Sequence, residues 1–104
     1  KEMELFLSPD SRIAEVYGTA TVREQYYCNF AVNPEFVEVI QNGPISVTGS
    51  DAEGEVRVIE YPEHVFFVAT LFVPQARSTP DCPHPLVNAF LDAAYRVQQD
   101  TGVR

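Results

Sequence analysis

Cysteine and histidine are the residues of this chain best suited to covalent or metal chemistry, and the sequence contains two of each. Cys28 follows Tyr26 and Tyr27 in an aromatic segment. A thiol there becomes a nucleophile or a redox centre when nearby positive charge lowers its pKa. Arg23 is the nearest cation in sequence, and a free cysteine on a strand is usually a small buried hydrophobe. A structural role for Cys28 is therefore favoured, with thiol chemistry as the alternative.

Cys82 and His84 are separated by one residue and could be imagined as metal ligands. A structural zinc site needs four ligands, and His64 is the other imidazole in the chain. We therefore expect no metal site within this sequence, and no cofactor. Pro85 directly follows His84, which favours a helix that begins at Pro85 and is capped by His84. His64 is interpreted as a turn residue.

The charge balance limits the classes of partner. The chain has 104 residues and a net charge of −8, from 15 acidic and 7 basic side chains. Such a surface repels phosphate backbones and anionic lipid, so we expect neither nucleic-acid nor membrane binding. Two cysteines do not make a disulfide framework, and we expect a cytoplasmic protein. Several acidic residues are interpreted as solvated surface near a hairpin rather than as a cation site. They are Asp51, Glu53, Glu55, Glu60 and Glu63.

Hydrophobic periodicity predicts strands and helices within one domain that spans residues 1–104. The predicted strands are residues 2–7, 22–32, 45–50, 55–61 and 66–73. The predicted helices are residues 12–17, a helix that starts at Pro34 and ends at Asn42-Gly43-Pro44, and residues 85–98. The run 66–73 is almost entirely apolar, which is typical of a strand buried on both faces. The last helix carries one apolar stripe, formed by Leu86, Phe90, Ala93, Ala94 and Val97.

Three segments carry a family resemblance. Residues 10–18 read Asp-Ser-Arg-Ile-Ala-Glu-Val-Tyr-Gly, and residues 24–33 read Glu-Gln-Tyr-Tyr-Cys-Asn-Phe-Ala-Val-Asn. Residues 72–75 read Phe-Val-Pro-Gln and are followed by Ser78-Thr79-Pro80 and His84-Pro85-Leu86. Together they resemble the closing part of a class I glutamine amidotransferase domain, most closely the C-terminal domain of CTP synthases. A narrower resemblance is to the CTP synthase C-terminal-region-related proteins, some of which contain selenocysteine.

The resemblance implies an α/β fold, namely the C-terminal portion of a flavodoxin-like three-layer domain. A complete amidotransferase domain of this type is roughly twice as long as this chain. The resemblance therefore implies a domain that is incomplete without upstream residues. The family's nucleophile, in a Gly-x-Cys-x-Gly elbow, would also lie upstream.

The resemblance also implies that the catalytic apparatus has changed. The family reads Phe-His-Pro-Glu where this chain has Val73 and Gln75 at the histidine and glutamate positions. Valine cannot accept a proton, and glutamine has no charge with which to stabilise an imidazolium. Family arginines that help hold the substrate's α-carboxylate correspond to Gln25, Tyr27 and Asn29, which cannot form a guanidinium clamp. We therefore expect no catalytic triad residue in this chain and no active glutaminase.

Residues beside the former glutamine pocket are then candidates for a different role. By resemblance these are Tyr27, Cys28, Asn29 and Thr70. The leading hypothesis is a degenerate amidotransferase-like domain whose remodelled pocket binds a small molecule. The alternatives are an enzyme of another class that uses a cysteine or selenocysteine, or an interaction module that forms a homo-oligomer or joins a true synthase.

Overall fold

The computed structural model describes residues 1–26 and 32–101; Tyr27, Cys28 and Asn29 lie outside this range. The described chain forms a five-stranded sheet with three α-helices and one 3-10 helix. In chain order the elements are β1 (Glu2–Leu7), α1 (Arg12–Tyr17), β2 (Thr21–Gln25), α2 (Pro34–Gln41), β3 (Ser46–Asp51), β4 (Val56–Glu60), β5 (Val68–Thr70), the 3-10 helix (Pro74–Arg77) and α3 (Pro85–Thr101). The α/β fold class is confirmed.

The sheet is antiparallel throughout, in the order β2-β1-β3-β4-β5. The register of β3 against β4 shifts on both sides of Gly49, which pairs with Val58: β3 has an extra residue between Val47 and Gly49, and β4 has one between Val58 and Val56. A Cβ at Gly49 would lie 2.7 Å from Val58 Cγ2, so the two strands approach this closely only because position 49 has no side chain. The sheet curls, so that Val73, after β5, lies beside the end of β2 and its N–H donates to the carbonyl of Gln25 (2.8 Å).

The core lies between one face of this sheet and the helices α1 and α3. Leu5, Ile13 and Val58 are fully buried there. Apolar side chains from β1, α1, the end of β5 and α3 complete it; these are Met3, Leu7, Ala14, Phe72 and Leu86. Burial of a leucine, isoleucine or valine side chain contributes about 1.5–3 kcal/mol, so this cluster contributes substantially to stability.

Helix α1 begins and ends as the sequence predicts. Ser11 accepts a hydrogen bond from the N–H of Ala14 (3.2 Å), and Gly18 ends the helix at a φ of 75°. The Glu60 carboxylate of β4 also accepts the N–H groups of Arg12 (3.1 Å) and Ile13 (2.8 Å). A carboxylate at a helix N-terminus satisfies free N–H donors and complements the helix dipole.

The acidic residues near the hairpin are not all solvated surface. Glu60 is buried, and Asp51 accepts the N–H groups of Glu53 (2.9 Å) and Glu55 (3.0 Å). The guanidinium of buried Arg57 also donates to Asp51, at 3.0 Å. The earlier interpretation was wrong for these two carboxylates, because sequence spacing does not reveal which backbone donors the fold brings to them.

Several other element predictions are confirmed in type. The segments 45–50 and 55–61 form the antiparallel pair β3 and β4. Asn33 caps α2 by accepting the N–H of Glu35 at 3.0 Å, and Pro34 is its first residue. Helix α3 starts at Pro85 as predicted and continues to Thr101, beyond the predicted end. Within the described residues, the predicted strand 22–32 is represented by β2 alone.

The prediction that the run 66–73 is buried on both faces was wrong. The run 66–73 contains only the short strand β5, which lies at the edge of the sheet with half-buried residues. Phe67 and Leu71 remain 44% and 39% exposed. In the predicted stripe of α3, Leu86 is buried, whereas Phe90 and Val97 are exposed. In both places the sequence contains more apolar side chains than the described chain buries. No described helix has the length and apolar character needed to cross a membrane.

Candidate functional site

Val73 and Gln75 lie where β5 turns into the 3-10 helix. Val73 is half-buried and is fixed to the end of β2 by its backbone bond to Gln25 (2.8 Å). Gln75 is exposed, and its carbonyl accepts the N–H of Ser78 at 3.2 Å. Thr70 is half-buried and donates its hydroxyl proton to the carbonyl of Phe72 at 3.1 Å. None of these three side chains can act as a general base.

Strand β2 leads from this point into the predicted pocket residues. The N–H of Tyr26 donates to the carbonyl of Lys1 (2.9 Å), so β2 stays paired with β1 up to this residue. Tyr27, Cys28 and Asn29 follow directly and lie outside the described residues. Their place in a pocket stays a prediction.

His64 lies in the turn between β4 and β5, where it is exposed. Its Nδ1 accepts the N–H of Phe66 at 3.1 Å. The ring also lies near those of Tyr61 and Phe67, with centroid distances of 6.3 and 6.1 Å. The interpretation of His64 as a turn residue is confirmed.

Tyr17, Glu24 and His84 form a largely buried polar cluster. Glu24 and His84 are 1% and 3% exposed. Both the Tyr17 hydroxyl and His84 Nε2 make hydrogen bonds to Glu24 Oε2, and the hydroxyl oxygen lies 3.1 Å from Nε2. The three residues come from α1, β2 and the start of α3. Sequence reasoning missed this cluster, although each member lies in a segment that carries the family resemblance.

The hydrogen bonds of His84 indicate the tautomer of its ring. The N–H of Leu86 donates to Nδ1 at 3.0 Å, so Nδ1 is unprotonated. The ring proton is therefore assigned to Nε2, which donates it to the Glu24 carboxylate. His84 thus caps α3 as predicted, and its own N–H donates to Ser78 Oγ at 3.0 Å. Because both ring nitrogens are occupied, His84 has no free lone pair to accept a proton from a thiol.

Tyr17 is held as a hydrogen-bond donor. Burial raises the pKa of its hydroxyl well above the ordinary value, and the hydrogen bond to Glu24 and the charge of that carboxylate raise it further. Arg77 partly opposes this shift with its positive charge. The Arg77 guanidinium also donates to the carbonyl of Arg23, which ties the 3-10 helix to β2. Glu24 Oε1 is buried without a hydrogen-bond partner among the described residues.

Other sites for chemistry are few in the described part of the chain. Cys82 is an exposed free thiol. No group of three or more potential metal ligands occurs among residues 1–26 and 32–101. A cleft of about 760 Å³ lies between α1, α3 and the start of β3, lined by charged side chains that include Arg12, Glu15, Asp92 and Arg96. Val73, Gln75 and Thr70 are not part of it.

Comparisons with known proteins agree with this fold. The chain is 34% identical over 91 residues to the CTP synthase of Sphingopyxis alaskensis and 35% identical over 91 residues to that of Gluconacetobacter diazotrophicus. Each match covers 86% of this chain but 17% of the relative, so the chain spans about a sixth of the length of these proteins. A scan against protein-family models finds no match.

A solved structure shares the architecture. The glutaminase domain of the Trypanosoma brucei CTPS, solved with bound acivicin, superposes with a TM-score of 0.83 at 24% identity. The match covers 91% of this chain and 39% of that one. The curled sheet with its helices is thus part of a glutaminase-type, flavodoxin-like fold, as the sequence predicts. The chain is a class I glutamine amidotransferase-like segment related to the CTP synthases.

Proposed function

We propose that this segment is part of an amidotransferase-like domain that no longer hydrolyses glutamine. The observation that carries the proposal is the aliphatic side chain of Val73 at the position where the family pattern has its catalytic histidine. Val73 has no atom that can accept a proton, and its backbone bond to Gln25 (2.8 Å) holds it at that position.

Neither described histidine supports a substitute base. The Nδ1 atom of His64 is occupied by the N–H of Phe66, in an exposed turn. Both nitrogens of His84 are occupied, by Leu86 and Glu24. A cysteine thiol with its ordinary pKa is a weak nucleophile unless a base or a positive charge activates it. These contacts favour loss of the hydrolytic mechanism over relocation of its base.

The substrate clamp gives a second line of support. Gln25 replaces an arginine of the family pattern, and its side-chain amide lies 3.4 Å from the carboxylate of Glu2. Arg23 lies at the same distance from Glu2, which partly neutralises its charge. A neutral amide beside a carboxylate does not attract the α-carboxylate of an amino acid as a guanidinium does. We therefore propose that the remodelled pocket binds a small molecule other than glutamine.

Glutamate release from glutamine by the complete gene product tests this proposal. The CTP synthase of Sphingopyxis alaskensis, assayed in parallel, is the active control. We expect no release above the background without protein. Turnover that a thiol alkylator abolishes would refute the proposal.

Ligand binding is tested separately by thermal shift. We expect glutamine and glutamate to leave the melting temperature of the complete gene product unchanged, because the carboxylate clamp is lost. A saturable rise with glutamine would contradict the proposed change of ligand, even if hydrolysis is not seen.

A further inference from the structure

The cleft between α1, α3 and the start of β3 contains a buried hydroxyl group that has no partner. Thr48 lines this cleft and is 6% exposed. Its Oγ1 makes no hydrogen bond within residues 1–26 and 32–101. Thr48 is also the extra residue of β3, between Val47 and Gly49, and such bulges redirect a side chain and are common beside functional sites. Because a buried hydroxyl normally has a hydrogen-bond partner, this one is suited to a ligand.

Glu60 adds a buried negative charge to the same cleft. Its side chain lines the cleft and the residue is 4% exposed. The two carboxylate oxygens accept the N–H groups of Arg12 (3.1 Å) and Ile13 (2.8 Å), which are uncharged donors. Each oxygen keeps a further lone pair. A buried charge is normally paired with an opposite charge, so this carboxylate favours a cationic partner.

The whole lining of the cleft is more negative than positive. It contains four carboxylates and two guanidinium groups, which give a net charge of −2. These are the side chains of Asp10, Glu15, Glu60, Asp92, Arg12 and Arg96. One of the guanidinium groups is already used, because Arg12 donates to the carbonyl of Val65 (2.6 Å) and lies over the ring of Phe66 at 5.4 Å. The charge of the lining therefore attracts a cation.

An anion is a poor fit for this lining. The first N–H groups of α1, which could otherwise hold an anion, already bond to the carboxylate of Glu60 and to the hydroxyl of Ser11. An ammonium group, in contrast, has three donors and no acceptor. It complements the remaining lone pairs of Glu60 and the hydroxyl oxygen of Thr48.

We propose that this cleft binds an organic cation with two or more amino groups, of the linear polyamine class. One ammonium group bonds to Glu60 and Thr48, and the carboxylates of Glu15 on α1 and Asp92 on α3 attract the others. The volume of about 760 Å³ is within the usual range for a small-molecule site. The cleft is separate from the former glutamine pocket, so the proposal does not depend on whether glutamine is hydrolysed.

Calorimetric titration of the complete gene product with spermidine at low ionic strength tests the binding. We expect saturation at one site with a Kd of about 1 mM or lower. A neutral diol of the same chain length, which has no amino group, should not bind. Mg²⁺ should not saturate a site either, because it lacks the hydrogen-bond donors of an ammonium group. Absence of saturable binding by spermidine, or equal binding of Mg²⁺ or the diol, would overturn the proposal.

Thr48→Val tests the hydroxyl with little change in side-chain shape. Because an unpartnered buried hydroxyl is unfavourable, the melting temperature of the free variant should be equal to or above that of the wild type. Its affinity for spermidine should fall at least about tenfold, because a hydrogen bond to a charged group is lost. A lower melting temperature would show that the hydroxyl has a partner in the protein. That result, or an unchanged affinity, would contradict the proposed site.

Two exposed aspartates of α3 form a matched pair for the charge of the cleft. Asp92 lines the cleft, whereas Asp100 does not. We expect Asp92→Asn to weaken spermidine binding about two- to fivefold and Asp100→Asn to leave it unchanged. Equal effects of the two variants would mean that spermidine responds only to the overall negative charge, and would refute a site in this cleft.

Discussion

His84 and Glu24 are 60 positions apart in the sequence, and they share a hydrogen bond in the interior of the protein. The same imidazole accepts the N–H of Leu86 at its other nitrogen (3.0 Å). One side chain thus caps α3 and also provides a donor for the buried carboxylate of β2. A buried carboxylate is stable only when hydrogen bonds compensate for its lost hydration.

Replacement of Glu24 tests the energetic value of this cluster. Glu24→Gln removes the charge and places amide hydrogens against two donors, the Tyr17 hydroxyl and His84 Nε2. We expect a loss of about 1–3 kcal/mol in the free energy of unfolding, measured by urea denaturation. Glu15→Gln, on the exposed side of α1, is the matched control and should change stability little. Equal stability of the two variants would show that the cluster contributes nothing.

Tyr17 should not contribute to the absorbance change of a tyrosine titration near pH 10. Its raised pKa keeps the hydroxyl protonated at the ordinary tyrosine pKa of about 10. The absorbance change near this pH should therefore be the same in the wild type and in Tyr17→Phe. A change smaller by one tyrosine in the variant would contradict the assignment. Because the folded pKa is raised, the stabilisation by this donor is complete below pH 10 and is lost as the pH rises toward the folded value.

Asp51 should make the free energy of unfolding decrease at acidic pH. Burial opposes its ionisation, but the N–H of Glu55, the guanidinium of Arg57 and the N–H of Glu53 together lower the pKa. A lowered folded pKa contributes stability above the unfolded value of about 3.9 and loses it as the pH falls toward the folded pKa. Asp51→Asn should therefore cost about 1.5–3 kcal/mol at pH 7 and progressively less at lower pH.

Urea midpoints at pH 7 and pH 3 measure this difference. Asp10→Asn is the control, because Asp10 is exposed. A cost for Asp51→Asn that does not shrink in acid would mean that its carboxylate charge is not the stabilising feature.

Gly49 should not tolerate a side chain. A Cβ at this position would lie 2.7 Å from Val58 Cγ2 and 3.1 Å from Leu7 Cδ2. Valine is stiff at χ1 and the neighbours are packed, so Gly49→Ala should destabilise by about 1–3 kcal/mol. Gly43→Ala is the control, since its nearest atom would be 3.6 Å away. Thermal unfolding that ranks the two variants equally would contradict the proposed close approach.

The sequence predicts features that are encoded locally and misses those that depend on distant partners. Ser11, Gly18, Asn33 and Pro85 bound their helices because capping depends on residues a few positions apart. The contacts of Glu24 with Tyr17 and His84, and of Glu60 with α1, span up to 60 positions and arise only from the fold. Burial of the run 66–73 was overpredicted because its apolar pattern fits a strand with neighbours on both sides.

The carboxylate of Glu60 also affects the order of folding. Helix α1 has six residues, which is too short for a helix to be stable alone. Its first N–H groups bond to a side chain 48 positions later in the chain. We therefore expect the first helix to become stable only after the hairpin of β3 and β4 has closed. Residues near the start of this polypeptide then become ordered after those in its middle.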